Sequence, residues 1–332
     1  MALNITKSNQ PIEVKNLCVT IYSQPGLGKT SLAYTANSPL LLDFDKGAYR
    51  AVDRKDVVQV ENWADVASMT AADLADYDTI IIDTVGKALD SLGADIVRSN
   101  SKLSYGGALN QQGWGQLGVR FSAFLKLLKS FGKDVILLSH MDEKHDGDEI
   151  KERLKIQGGS KDLVLTDSDV IARISIHNRE RQLIFSPTET AFGKDPAGIG
   201  AMPLPDAQSA PETFATCLAD IITRIKADLN ALSEEQVERK SEVEWFKATL
   251  PTMTKASQIN AVLGRAKKAG RDVAKLVVTR ANDLGLDFDP DARRYSDPEH
   301  EAGAQADDDT RDEEDDILGM RDLPYDPDQE AA

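Results

Sequence analysis

The chain has 332 residues, 41% of them hydrophobic, and a formal net charge of −16. That length and apolar content allow one large α/β domain plus a smaller module and exclude disorder throughout; two distant cysteines, Cys18 and Cys217, exclude a disulfide framework, and no run reaches the roughly 18 apolar residues of a membrane helix. The charge is local: Asp297 to Ala332 hold fifteen Asp/Glu against two Arg, while the body carries 40 acids and 37 bases, so the total does not exclude nucleic acid as a partner.

Short apolar runs alternate with helical stretches along the first part of the chain. This is the pattern of a mostly parallel sheet buried on both faces by crossover helices. "LCVTIYS" (Leu17–Ser23) predicts the first strand and "TSLAYTA" a helix after it. "PLLLDFD" (Pro39–Asp45), "DTIIIDT" (Asp78–Thr84) and "DVILLSH" (Asp134–His140) predict three more strands. Asn100–Gln116 reads as a polar, Gly/Gln-rich loop, and "WGQLGVRFSAFLKLLKSFG" has apolar residues at helical spacing up to Gly132. The charged segment 143–168 reads as a loop or hairpin, and Asp169–Ile176 and Arg181–Pro187 as further strands. Phe192–Pro211 is rich in Gly and Pro and reads as a linker. Residues 212–289 read as helical, with a break at Pro251. From Pro290 the chain is acidic and hydrophilic, the composition of a disordered tail. The expected division is a core over 1–191, a linker over 192–211, a partly basic helical module over 212–289 and a tail over 290–332.

The most informative stretch is Ser23–Ser31, "SQPGLGKTS", at the end of the first strand. A strand, a glycine-rich turn and a helix opening on Lys29-Thr30 form the context of a phosphate-binding loop. Glycines let backbone N–H groups converge on a phosphate, and the helix N-terminus adds partial positive charge. Ser23, Gln24, Pro25, Gly26, Leu27, Gly28, Lys29, Thr30 and Ser31 are therefore expected to surround ATP. Lys29 would reach the β- and γ-phosphates and the Thr30 hydroxyl would ligate Mg²⁺. The pattern G-x-x-x-x-G-K-[ST] departs at its first position, which is Ser23. Asp83, ending an apolar strand, is the expected second magnesium contact.

The residue that activates water is less direct. AAA+ ATPases place a glutamate after the strand-ending Asp, but Thr84 stands there. RecA-like ATPases place the carboxylate on the strand after the phosphate-loop helix, which here ends in Asp45. Asp45 is expected to orient the water, in preference to Asp43, although it is shorter than the usual glutamate, so slow hydrolysis stays open. His140, ending the fourth strand, is expected to sense the γ-phosphate. His140, Asp142 and His145 lack the rigid spacing of a metal site.

With these motifs, "QPGLGKTSLA", "LLLDFDKGAYR", "YDTIIIDTV", "GWGQLGVRFSAFLKLLKSFGKDVILLSHMDEK" and "IQGGSKDLVLTDSDVIARI", the sequence resembles the RecA-like, AAA-type nucleotide-binding ATPases of bacteriophages. One branch of these is the Sak-type single-strand annealing proteins. The resemblance covers about Leu17 to Pro187. It implies a RecA-like P-loop core, binding of ATP and single-stranded DNA, and work in phage recombination beside a single-strand binding protein. It also implies a homo-oligomer, in which Lys161 or Arg153 of one subunit could reach a neighbour's γ-phosphate, and the cytoplasm of a bacterial host.

Two further features bear on partners. Between Ile259 and Asn282 the bases Arg265, Lys267, Lys268, Arg271, Lys275 and Arg280 face one acid, Asp272, a composition that suits DNA phosphates. Tyr105 and Trp114 could stack on a single strand. The tail combines dense acid with Ile317, Leu318, Leu323 and Tyr325, features that suit a protein partner or a gate over the basic stretch. The alternative reading is a nucleotide-switched loader or adaptor in replication that recruits a partner through this tail without binding DNA.

Overall fold

Leu17, Val19 and Ile21 lie against one core cluster and Cys18 and Tyr22 against another, all of them buried. The same alternation divides Leu41 from Leu40 and Leu42, Ile81 from Ile80 and Ile82, and Ile136 and Leu138 from Val135 and Leu137. A strand turns successive side chains to opposite faces, so these continuous apolar runs demand cover on both sides of a sheet.

The computed structural model describes residues 5–147, 149–157 and 159–298. It divides into two compact units: Glu13–Ala231, and Met1–Ile12 with Leu232–Ala332. The larger holds β1 (Cys18–Ser23), α1 (Lys29–Ala33), β2 (Pro39–Asp43), β3 (Asp56–Gln59), α2 (Ala64–Ala67), β4 (Thr79–Asp83) and α3 (Val85–Ser99). There follow the short pair β5 (Ser104–Tyr105) and β6 (Ala108–Leu109), α4 (Gln111–Ser130), β7 (Asp134–Asp146), β8 (Glu149–Leu154) and α5 (Ser160–Asp167). β9 (Val170–His177), β10 (Glu180–Ile184), β11 (Ala201–Pro203) and α6 (Pro211–Ala215) lead to α7 (Cys217–Thr249), inside which the division falls.

The sheet order is β11-β10-β9-β1-β7-β4-β2-β3, with β8 paired to the end of β7. From β9 to β3 all neighbours are parallel, and β10 and β11 add an antiparallel edge. Phe121, Leu125 and Leu128 of α4 with Leu89 and Leu92 of α3 cover one face; Leu32 of α1 with Ile221, Ile222 and Ile225 of α7 cover the other. This is the α/β, mostly parallel sheet flanked by helices, with the glycine loop directly after β1, that the sequence predicts.

Several local expectations change. The expected loop 100–116 holds the β5–β6 pair and the start of α4, whose first turn is capped by Asn110 accepting from the Gly113 N–H at 2.9 Å. The charged segment after His140 takes the hairpin reading, β7–β8, and its second half, expected as loop, forms α5. Residues 192–211 supply β11 to the sheet edge.

The second unit is built from the later part of α7, α8 (Ala256–Ala269), α9 (Arg271–Asp283) and a ribbon of β12 (Asp287–Asp289) and β13 (Arg294–Ser296). Phe246, Ile259, Val273, Val277 and Tyr295 form its own core. Residues 290–298, expected as the start of the tail, are instead structured: Tyr295 is buried against Phe288, and Asn260 both donates to the Tyr295 carbonyl and accepts from its N–H, each at 2.7 Å. The acidic residues expected to be disordered from 299 onward, with Ile317, Leu318, Leu323 and Tyr325, lie outside the described residues. Among the described residues no helix is long and apolar enough to cross a membrane.

Candidate functional site

Parallel register carries the key residues to one edge. Ser23 pairs with His140 and Asp43 with Asp83, and β7 lies between β1 and β4. The carboxyl ends of a parallel sheet are where connecting loops open a ligand crevice. A cavity of about 550 Å³ opens there, lined by Pro25, Gly26, Gly28, Lys29, Thr30, Ser31, Asp45, Gly47, Arg50, Ala51, Asp83 and His140.

The loop before α1 turns on Gly26 and Gly28, both at φ 82°, a backbone region that residues with a Cβ rarely adopt. Gly28 is constrained by space as well, since a Cβ there would lie 2.7 Å from Arg181 Nη1. Lys29 is only 6% exposed. Its Nζ donates to the Ser23 carbonyl at 3.2 Å, the Ser23 hydroxyl at 3.1 Å and the Gln24 carbonyl at 3.2 Å. The serine in the place of the pattern's first glycine therefore holds the lysine through two oxygens. Burial lowers the Lys29 pKa, against the pull of Asp83 and Asp45. A buried ammonium among neutral oxygens lacks a counter-charge in direct contact, and an anion in the cavity would supply it.

Thr30 Oγ1 donates to Asp83 Oδ2 at 2.6 Å. Burial pushes the Asp83 carboxyl up to about 6; the Thr30 hydroxyl opposes this and the charges of Asp43 and Asp45 add to it. A hydroxyl and a carboxylate of raised pKa are hard oxygen donors, and a divalent cation would relieve the cost of keeping Asp83 ionised. Thr30 and Asp83 would hold Mg²⁺ on this chemistry, and Lys29 with the glycine loop would hold the phosphates of ATP.

The expected residues do not all face the cavity. The Gln24 amide donates to Glu143 Oε1 at 2.7 Å, and Leu27 packs into the core. Ser31 lines the cavity, but its hydroxyl accepts from the Val52 N–H at 3.0 Å. Asp43 is buried and accepts from the Gly47 and Ala48 N–H groups at 3.1 and 3.0 Å, so it shapes the loop after β2. β2 ends at Asp43, and Asp45 reaches the cavity wall, 3.9 Å from His140 Nε2. Burial and the Lys29 charge lower the His140 pKa, which favours a neutral imidazole.

Sequence reasoning did not single out Arg50 or Arg181. Arg181 sits on β10 and donates from Nη1 to the Leu27 carbonyl at 3.3 Å and from Nη2 to the Pro205 carbonyl at 3.1 Å. It braces the phosphate loop from behind, a role set by tertiary placement alone. Arg181→Ala is expected to weaken magnesium-ATP binding about three- to tenfold, the worth of one such hydrogen bond, with an unchanged circular dichroism spectrum. Calorimetric titration of the variant checks this.

Arg153 and Lys161 lie over the Phe192 ring, 4.7 and 5.5 Å from its centroid, and Arg153 donates to the Glu152 and Thr190 carbonyls. Neither lines the cavity of its own chain. Tyr105 is exposed, and Trp114 lines a separate apolar groove of about 460 Å³ with Leu89, Val97, Leu109 and Leu117. Among the described residues no group of three His, Cys, Asp or Glu could hold a metal, so His140, Asp142 and His145 form no such centre.

In the second unit the basic stretch is partly committed. Arg265 makes a two-pronged pair with Glu242 at 2.7 and 2.8 Å and lies 3.7 Å from the Trp245 ring centroid. Arg280 donates to the Met253 and Pro251 carbonyls. Lys267 and Lys268, in the last turn of α8, stand exposed.

A family model described as an AAA domain matches residues 15–197, more than half of the chain. No curated protein matches the chain. Among solved structures, the crystal structure of the RadB recombinase is similar to it at 10% identity, over 51% of this chain and 79% of that one. Its TM-score of 0.33 is too low for the likeness to carry any argument.

Proposed function

The chain belongs to the AAA domain family, and on that premise we propose that it is a RecA-like ATPase of the Sak-type phage branch that binds magnesium-ATP and acts on single-stranded DNA in recombination or annealing. The observation that carries the reading is Lys29: a buried ammonium held by neutral oxygens alone, at the mouth of a helix and beside the Thr30–Asp83 pair. Mg²⁺ bound there would neutralise charge at the phosphates. Asp45 holds and deprotonates the attacking water, and the neutral imidazole of His140 orients beside it. The side chain of Asp45 is shorter than a glutamate, so turnover is slow. Nucleotide binding orders the loops that contact DNA and neighbouring subunits of a homo-oligomer. Exposed Lys267, Lys268 and Tyr105 support contact with a single strand. A single-strand binding protein or another recombination protein is the partner suited to the acidic, apolar-studded tail.

A gel shift on single-stranded oligonucleotides, with and without ATP, tests the reading. The full chain should shift the strand more strongly with ATP, Lys29→Ala should lose the ATP effect, and a chain lacking the tail should bind more tightly. The cut belongs after Pro298, because Asp297 accepts from the Ala256 N–H at the start of α8 at 2.9 Å. No shift under any condition overturns the DNA reading and favours the nucleotide-switched adaptor. Equal binding by the shortened chain removes the tail as a gate.

A further inference from the structure

The loop between β2 and β3 is pinned at several points. The Phe44 and Asp45 N–H groups donate to the Asp83 carbonyl at 2.7 and 3.2 Å, and the Asp43 carboxylate accepts from Gly47 and Ala48. Ala48–Arg50 then form one 3-10 turn, and the Val52 N–H is tied to Ser31 on the phosphate-loop helix. The outcome of this pinning is that Arg50 is delivered to the wall of the cavity that Lys29, Thr30 and Asp83 also line.

We propose that Arg50 is a nucleotide ligand: its guanidinium grips phosphate oxygens of the bound nucleoside triphosphate from within the same chain. The inference rests on the ATP-binding reading above and adds a contact to it. Three observations support it. Among the described residues no carboxylate forms an ion pair with Arg50, whose recorded side-chain partner is the Tyr49 ring, 5.2 Å from the guanidinium carbon to the ring centroid. The guanidinium folds back over Gly47, with Nη2 2.6 Å from where a Cβ at 47 would stand. Gly47 has φ −106°, which any residue adopts, so what a methyl added there would meet is the flexible end of the arginine and not backbone strain. Finally, the cavity faces a polyanion with two carboxylates, Asp45 and Asp83, and, among the described residues, Lys29 as the one other permanent cation in its lining. A second cation is what electrostatic balance with a metal-bound triphosphate calls for, and a planar guanidinium matches two phosphate oxygens at once.

The test is calorimetric titration of the full chain with magnesium-ATP, at low and high salt, for wild type, Arg50→Ala, Arg50→Lys and Gly47→Ala. Arg50→Ala is expected to bind about tenfold more weakly at low salt, with the difference shrinking at high salt as the charge is screened. Arg50→Lys should recover part of the loss by restoring charge without the fork. Gly47→Ala should show a smaller loss, because its new methyl displaces the guanidinium at little cost to the fold. Wild-type affinity in both Arg50→Ala and Gly47→Ala would overturn the inference while leaving the ATP-binding reading intact. A folded wild-type chain that takes up no magnesium-ATP would overturn both.

Discussion

Lys29→Ala is expected to lower the affinity for magnesium-ATP at least about a hundredfold while leaving the fold in place. In the nucleotide-free chain the ammonium is desolvated; the Ser23 and Gln24 oxygens hold it directly, and Asp83 and Asp45 attract it without touching it. Burial outweighs that attraction, so removal takes a costly desolvated charge out of the apo protein, and melting temperature should hold or rise. With nucleotide, the same removal takes away a cation that lines the phosphate site. Urea unfolding and titration of the one variant should thus move in opposite directions. A variant that binds as wild type does would show that the phosphates lie elsewhere.

Asp83→Asn is expected to show a still clearer opposition. Burial holds the folded carboxyl at about 6, against an ordinary 3.8. Between these values the folded chain binds more protons than the unfolded one, so this group's contribution is fully present below about pH 4 and is lost as pH rises through 6. Near pH 7 the ionised carboxylate costs the metal-free protein on the order of 3 kcal/mol, which an asparagine avoids while still accepting from Thr30. The variant should unfold at higher urea than wild type near neutral pH, and the gap should close as pH falls toward 4. It should also lose the magnesium dependence of ATP binding, because the neutral amide is a poor ligand for that ion. Unfolding curves without nucleotide at several pH values, and titrations with and without Mg²⁺, read both effects. A variant no more stable at neutral pH than wild type would contradict this account of Asp83.

The central strands are legible in the sequence because burial on both faces keeps their interiors apolar, with Thr20 of β1, paired with the Ser168 hydroxyl, an exception. "CVTIYS", "PLLLD" and "TIIID" match β1, β2 and β4, and β7 begins where its apolar run predicts. β3 is missed: Asp56–Gln59 is four residues, exposed at both ends, and has no apolar run. Residues 290–298 read as tail because Tyr295 is a lone aromatic among charges, and its burial depends on Asn260 and Phe288.

At the site, the phosphate loop carries its signal in local chemistry, since positive φ requires glycine and the helix start places the lysine and threonine. Asp43 and Asp45 are two residues apart, and only the end of β2 at Asp43 sends them to different tasks. Arg50 and Arg181 leave no local trace, because one depends on a loop pinned by Ser31 and the other on an antiparallel edge strand. Arg265 and Arg280 look like free cations in a basic run until Glu242, Trp245 and the Met253 carbonyl are placed beside them.

The account stands on a triphosphate seated between Gly26 and Thr30. Isothermal titration of the folded full chain with magnesium-ATP measures this directly. Uptake of one nucleotide per chain by the wild type, with none by Lys29→Ala at the same concentrations, is the expected result; no heat of binding from folded wild type, or equal binding by both, would contradict it.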